Sequence, residues 1–164
     1  MEAFLQWLVT WIGKLGYPGI VMLMALESSF FPVPSELVIP PAGYLISRGA
    51  MNGWLIVLAG TAGSLLGALF NYGLAYYLGR PLLKRYGRYF LLTPQRFERV
   101  DTFFNRHGEI STFSGRFIPV VRHIISFPAG LARMNLKRFC FYTALGSSLW
   151  VTILTWIGYL VGNN

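Results

Sequence analysis

An all-α polytopic membrane protein is the fold class this sequence predicts, and three observations predict it. Of 164 residues, 54% are hydrophobic and 16% aromatic while only 12% are charged, far too apolar for a soluble domain. Two uncharged runs, Trp54–Leu78 and Phe139–Val161, are each long enough to cross a bilayer. Two further apolar stretches, Glu27–Glu36 and Arg116–Arg122, are broken by prolines and carry charge. The length is too short for two domains, so residues 1–164 read as one membrane domain. It divides into an interfacial N-terminal segment (1–16), a first repeat (17–79), a basic amphipathic loop (80–107) and a second repeat (108–164).

The net charge is +8, and seven of the fourteen Lys and Arg fall between Arg80 and Arg106. A basic loop between membrane segments is what the positive-inside bias produces, so it marks a cytoplasmic loop and not nucleic-acid binding. Anionic lipid headgroups would suit the same surface. Cys140 is the single cysteine and can form no internal disulfide. The two histidines lie far from any Cys or acid cluster, so neither a metal site nor a cofactor is expected. The first Lys or Arg is Lys14, so the positive n-region of a cleavable signal is missing.

Taken in order, residues 3–12 are apolar but too short to span, and with Trp7 and Trp11 they predict an interfacial helix that Gly13–Gly19 ends. Residues 19–47 contain no Lys or Arg but four prolines, Pro32, Pro34, Pro40 and Pro41. A proline removes a helix hydrogen bond, so one straight span is excluded. The pattern predicts a half-helix over Ile20–Phe31, a break at Pro32 and Pro34, and a second half from Glu36 with Ser35 as its N-cap. Roughly 12 residues at ~1.5 Å each reach the midplane of a ~30 Å core, so a re-entrant hairpin fits better than a crossing.

Trp54–Leu78 follows, with Gly60, Gly63, Gly67 and Asn71 on one face, a pattern that suits close helix packing better than a ligand contact. Thr93-Pro94 starts an amphipathic surface helix with Phe97, Val100, Phe103 and Phe104 on its apolar side. Ile110–Leu131 is again interrupted, by Pro119 and Pro128, before the last uncharged run.

The halves repeat. Met51-Asn52, Gly63-Ser64, Leu66, Tyr76 and Gly79 recur 83 residues on as Met134-Asn135, Gly146-Ser147, Leu149, Tyr159 and Gly162. Pro32-Val33 and Pro41-Ala-Gly43 recur as Pro119-Val120 and Pro128-Ala-Gly130, with the same nine-residue step between prolines. Each unit is a re-entrant hairpin plus one crossing, an odd count, so the second copy enters from the opposite side. This is an inverted-topology repeat, whose site is expected at the midplane. Gly19 to Glu27 and Gly108 to Arg116 are both eight apart, which sets an acid of one hairpin against a base of the other.

A charge at the bilayer centre costs ~2.5–3.5 kcal/mol on insertion scales, so these four charges are functional candidates. Arg116 and Arg122 stay charged and can each grip a phosphate or carboxylate in a bidentate fork. Glu27 and Glu36, in apolar surroundings, suit reversible protonation. The two patches are expected to meet and form an anion site. Against this stands a plain structural role, in which acids and arginines neutralise each other as buried pairs. His123 reads as polar packing, and His107 lies in the surface loop, so no nucleophile with an activating base is in view.

Glu27…Phe31-Pro-x-Pro34-x-Glu36, Tyr77-Leu-Gly-Arg80, Gly115-Arg-Phe-Ile-Pro119-x-x-Arg122 and Pro128-Ala-Gly-x-x-x-Met134 resemble the DedA family, also called SNARE-associated or VTT-domain proteins. The likeness runs from about Gly16 to Gly162. It implies a multi-pass protein of the bacterial inner membrane with two opposed re-entrant hairpins. Members are linked to moving lipid phosphates, undecaprenyl phosphate among them, and eukaryotic relatives scramble phospholipids. Arg116 and Arg122 would then bind the lipid phosphate, and Glu27 and Glu36 would couple its movement to the proton gradient. Family members commonly run on past the position of Gly162 into another hydrophobic helix, whereas this sequence ends at Asn164. The expectation is a lipid-phosphate transporter and not an enzyme, and a homo-oligomer is compatible with it. A proton-coupled small-ion transporter and a scaffold with structural ion pairs are the alternatives.

Overall fold

The computed structural model describes residues 2–29, 31, 33–87, 89 and 93–164. Among them all regular structure is helical: α1 (Glu2–Ser28), α2 (Ser35–Ser47), α3 (Gly53–Leu74), a π-helical turn (Ala75–Gly79), α4 (Arg80–Tyr86), α5 (Pro94–Gly115), α6 (Pro119–Ile124), α7 (Ser126–Leu131) and α8 (Leu136–Asn163).

Among the described residues three stretches are, by length and composition, apolar enough to cross a membrane: Ala3–Ser28, Gly53–Tyr86 and Leu136–Asn163, of 26, 34 and 28 residues. At ~1.5 Å per residue the third reaches roughly 42 Å, against a hydrocarbon core of ~30 Å. The second and third contain the two uncharged runs. In the first, helix covers 3–12 as expected, and the break expected within Gly13–Gly19 falls at Gly16, where two helical segments meet. The chain bends at Gly16 (φ 63°, ψ −157°) and stays helical to Ser28. That backbone region is open essentially to glycine alone. Because the bend already interrupts the ladder, Pro18 falls in the first turn of the second segment, where its missing N–H costs little. Ile12 is buried in the core with Ile20 and Met24, so the first segment is packed against protein.

Ser35 is also corrected. It is the first residue of α2 and not its cap; Pro34 holds the N-cap position and gives no side-chain hydrogen bond. Thr93 does cap α5, accepting the Arg96 N–H at 3.4 Å. That helix continues without a break to Gly115, so the basic amphipathic segment and the approach to Arg116 are one rod. Phe104, Gly108, Thr112 and Gly115 form its buried face, whereas Phe103, expected there, is half exposed and packs its ring on His107 at 5.5 Å.

The chain forms two compact units, Met1–Gly67 with Ser147–Asn164, and Ala68–Gly146. In the first, Ile20, Met24, Ile39, Ile56 and Val151 are the fully buried centre. The glycine face of α3 packs on α1 so closely that a methyl at Gly63 or Gly67 would strike the carbonyls of Val21 or Ala25. Close helix packing is therefore what those glycines provide. On the other side, Gly43 of α2 lies against the Thr155 carbonyl of α8.

In the second unit, Tyr72, Phe104, Ile125, Ala129, Met134 and Phe139 form the core. The Tyr72 ring stacks on Phe139 at 4.7 Å and its hydroxyl donates to the Met134 carbonyl. Gly130 of α7 lies against the Tyr72 carbonyl.

Local details recur between the halves. Asn52 Oδ1 accepts the Trp54 N–H at 2.9 Å at the start of α3, and Asn135 Oδ1 accepts the Lys137 N–H at 3.0 Å at the start of α8. Helix α2 ends with Gly49 N–H on the Ile46 carbonyl and Ala50 N–H on the Leu45 carbonyl. Helix α7 ends with Arg133 N–H on Gly130 and Met134 N–H on Ala129, the same pair of bonds of a Schellman turn. Outward, Trp54, Leu58, Phe70, Tyr77 and Trp156 are each more than half exposed, an apolar surface that lipid would cover.

Candidate functional site

The charged patches sit where the chain leaves one helix and enters the next. Glu27 is in the last turn of α1, only 2% exposed. Eight residues on, the Ser35 N–H donates to its Oε1 at 2.9 Å. The first N–H groups of a helix lack internal partners and carry partial positive charge, so a carboxylate there is favourable by up to ~2 kcal/mol when partly buried. The cap that Ser35 was expected to give its own helix comes instead from a side chain of α1. Ser35 is fully buried and its hydroxyl accepts from Trp150 Nε1 of α8 at 3.2 Å. Glu36 lies in the first turn of α2 and is exposed. Pro34 precedes that turn; Pro32 lies outside the described residues.

The second patch is in the other unit. Arg116 is the C-cap of α5 and 4% exposed. Its Nη1 donates to the Arg122 carbonyl at 3.3 Å, and its Nη2 to Ser126 Oγ at 3.1 Å and Thr143 Oγ1 at 3.5 Å. One guanidinium thus ties α5 to α6, α7 and α8. Its Nε is buried with no hydrogen-bond partner. Arg122, in the last turn of α6, is 6% exposed. Pro119 is the first residue of α6, where a proline fits, and Pro128 lies in the first turn of α7. Gly146 of α8 gives room for the Arg116 stem, since a methyl there would come within 3.1 Å of Arg116 Cβ and Cγ.

The structure therefore gathers Arg116 and Arg122 in one unit, and Glu27 and Glu36 in the other. Ser126, Thr143 and Trp150 escaped the reading of the sequence. Their signal was available: a buried hydroxyl within an apolar helix needs a partner, and often marks an interhelical polar contact.

Residues 33–160 match the family described as the VTT domain, a span that holds Glu36, Arg116 and Arg122. The chain is 36% identical over 167 residues to the uncharacterized membrane protein YkoX of Bacillus subtilis, covering 100% of this chain and 74% of that protein. It is 34% identical over 163 residues to undecaprenyl phosphate transporter A of the same organism, covering 99% of this chain and 80% of the relative. An alkaline phosphatase-like protein of Lactococcus lactis is 32% identical over 158 residues, with 93% and 74% covered. No solved structure matches. Long apolar helices and membrane-protein relatives together make this a multi-pass membrane protein.

Proposed function

This chain belongs to the VTT-domain family, the DedA family its motifs resemble, and from that premise we propose that it carries a lipid phosphate across the bacterial inner membrane. Undecaprenyl phosphate is the first candidate cargo, because a relative 34% identical over 99% of the chain bears that transporter's name. The observation that carries the reading is the buried pair Arg116 and Arg122 at the break between α5 and α6. Such cations are expensive and persist where they do work. Arg122 offers the bidentate fork for the phosphate. Arg116 fixes the Arg122 backbone through its carbonyl and keeps Nε, a buried donor without a protein acceptor, for a phosphate oxygen.

We place each hairpin as re-entrant and the halves as an inverted repeat. Support comes from contacts that exchange partners between the halves. Gly43 of the first meets the Thr155 carbonyl of the second, and Gly130 of the second meets the Tyr72 carbonyl of the first. The 83-residue step that pairs Met51 with Met134 pairs Tyr72 with Thr155, and the proline register pairs Gly43 with Gly130. In this frame Glu27 and Glu36 exchange protons with the gradient while the arginines exchange cargo, and the polyprenyl tail stays in lipid. The groups around the Arg116 guanidinium are a carbonyl and two hydroxyls, suited to orienting a cation and not to activating a nucleophile, so carriage fits better than the hydrolysis that the Lactococcus relative's name suggests.

The test is flux of labelled undecaprenyl phosphate across proteoliposomes, wild type against Arg122→Ala, with and without a pH gradient. The reading expects gradient-sensitive flux in wild type and a loss of at least about tenfold in the variant, the smallest effect expected for removing a charged contact worth ~1.5 kcal/mol or more. Equal flux from both proteins overturns it.

A further inference from the structure

Beyond the buried arginines, an open cleft of ≈ 1260 Å³ lies between α4 and the first turns of α5. Among the described residues Arg80, Lys84, Arg85 and Arg96 line it, with Glu98 as a carboxylate and Phe97 as an aromatic wall. The size exceeds the ~300–1,000 Å³ of ordinary small-molecule sites, so the cleft has room for more than a bare ion. Lys84, Arg85 and Arg96 are exposed, at the outer edge of the unit. On α4 they are flanked by Leu82 and Tyr86, 49% and 43% exposed. Cations beside exposed apolar and aromatic side chains are the surface that meets lipid headgroups.

Arg80 sits at the inner end of this cleft. Its Nε donates to the Leu131 carbonyl at the end of α7 at 3.2 Å, and its guanidinium lies 5.5 Å from the Phe97 ring centre. Its Nη2 reaches Asp101 at only 3.4 Å. Strong charge-assisted pairs close to ~2.7–2.9 Å, as Arg138 and Glu109 do here at 2.7 Å. Asp101 therefore holds Arg80 loosely, and an anion entering the cleft can compete for the same nitrogen while the Leu131 carbonyl keeps the arginine in place.

We propose that this cleft is a second phosphate site, separate from Arg116 and Arg122, that takes the phosphate headgroup of an anionic lipid at the membrane surface. Lys84, Arg85 and Arg96 draw the headgroup in, and Arg80 binds it at the inner end. Since Arg80 also holds the last carbonyl of α7, occupancy bears directly on the segment that follows Arg122. The same phosphate chemistry could come from free phosphate; the size of the cleft and its apolar flank favour the lipid.

The experiment is native mass spectrometry of the detergent-solubilised full chain with phosphatidic acid, counting bound lipid. The cleft variant is Lys84→Gln/Arg85→Gln/Arg96→Gln; these side chains are exposed, and an unchanged Tm checks its fold. Wild type is expected to bind, and the variant to lose affinity for one lipid by about 100-fold, the effect of three cations near a lipid surface. Arg122→Ala is expected to keep that lipid. Displacement by millimolar inorganic phosphate shows that phosphate from either source is read, and its failure assigns the site to lipid; both uphold the cleft. Wild-type affinity in the triple variant, or loss confined to Arg122→Ala, overturns it. The readout is binding, with its own variant, so a failed transport assay leaves this inference standing, and the reverse also holds.

Discussion

Arg116 donates from Nη1 to the backbone carbonyl of Arg122 at 3.3 Å, six residues along the chain. The corresponding acid does the opposite: Glu27 accepts the backbone N–H of Ser35 at 2.9 Å. The register that pairs Pro32 with Pro119 pairs Ser35 with Arg122. Each helix break is thus latched by one buried ionisable side chain on the same backbone position of this register. The acid takes the donor and the base takes the acceptor, each the polar group that a break in the helix leaves without an internal partner.

The Arg116 latch predicts a separation of stability from transport. Replacing Arg116 by Met keeps the bulk of the stem but strips the Arg122 carbonyl, Ser126 and Thr143 of their shared donor. Hydrogen bonds to a charged group contribute ~1.5–3 kcal/mol, and each kcal/mol moves Tm by ~2–4 °C in a chain of this size. Arg116→Met is expected to lower Tm in detergent by about 5–10 °C. Arg122→Lys keeps a cation without the fork, so it should keep Tm within about 3 °C while losing flux. Equal Tm for wild type and Arg116→Met would show that the latch contributes nothing.

For Glu27 the informative comparison is Gln against Ala. The amide oxygen of Glu27→Gln can still accept the Ser35 N–H, so the break should hold its shape, with a loss of at most the ~2 kcal/mol that charge adds at a partly buried helix N-terminus. Glu27→Ala leaves a buried N–H unpaired and should cost ~1–3 kcal/mol. If Glu27 also moves protons, Glu27→Gln keeps its fold but loses the pH dependence of flux. A Gln variant whose flux still responds to the gradient removes Glu27 from the coupling scheme.

Much of this was legible in the residues. Apolar runs gave the crossing helices, because hydropathy over some 20 residues is a strong signal. Thr93-Pro94 gave the start of α5, since cap and proline agree there. What failed was local chemistry settled by distant parts of the chain. Gly13 to Gly19 did announce a break, but not that Gly16 alone would make it and that helix would resume at once. Ser35 looked like a cap because its type fits, but it is the first helical residue, and Glu27, eight residues back, accepts its N–H. The partners of Arg116 could be suspected as hydroxyls in apolar helices but not matched to it: Thr143 is 27 residues away, and no period in the sequence links the two.

The glycines of α3 divide into two kinds, and one pair of substitutions separates them. A methyl at Gly63 meets the Val21 carbonyl and Met24 Cβ of α1, backbone and stem that cannot swing aside, so Gly63→Ala should cost ~1–3 kcal/mol. Gly73, in the same helix, has nothing within 4 Å of a new methyl. There alanine brings only its helix propensity, and Gly73→Ala should raise stability by up to ~1 kcal/mol. Thermal unfolding in detergent reads both signs. A Gly63→Ala protein as stable as wild type would mean that α1 and α3 can part without cost.

The two Schellman ends make the last prediction, because the same turn is built from different residues. At the end of α2 the left-handed position is Gly49 (φ 70°), and at the end of α7 it is Arg133 (φ 53°). An L-residue in that conformation costs ~1–2 kcal/mol that glycine avoids. Gly49 has open space around it, so Gly49→Ala should destabilise through its backbone alone, by ~1 kcal/mol. Arg133→Gly relieves the same strain but gives up the stacking of Arg133 on the Tyr76 ring, 5.0 Å away, worth ~0.5–1 kcal/mol at an exposed site. The net effect should therefore lie between neutral and about 1 kcal/mol stabilising. Arg133→Lys retains both strain and charge and should match wild type. If Arg133→Gly instead lowers Tm by several degrees, the arginine is held there by more than the ring, and its strained backbone is the cost of a contact that function requires.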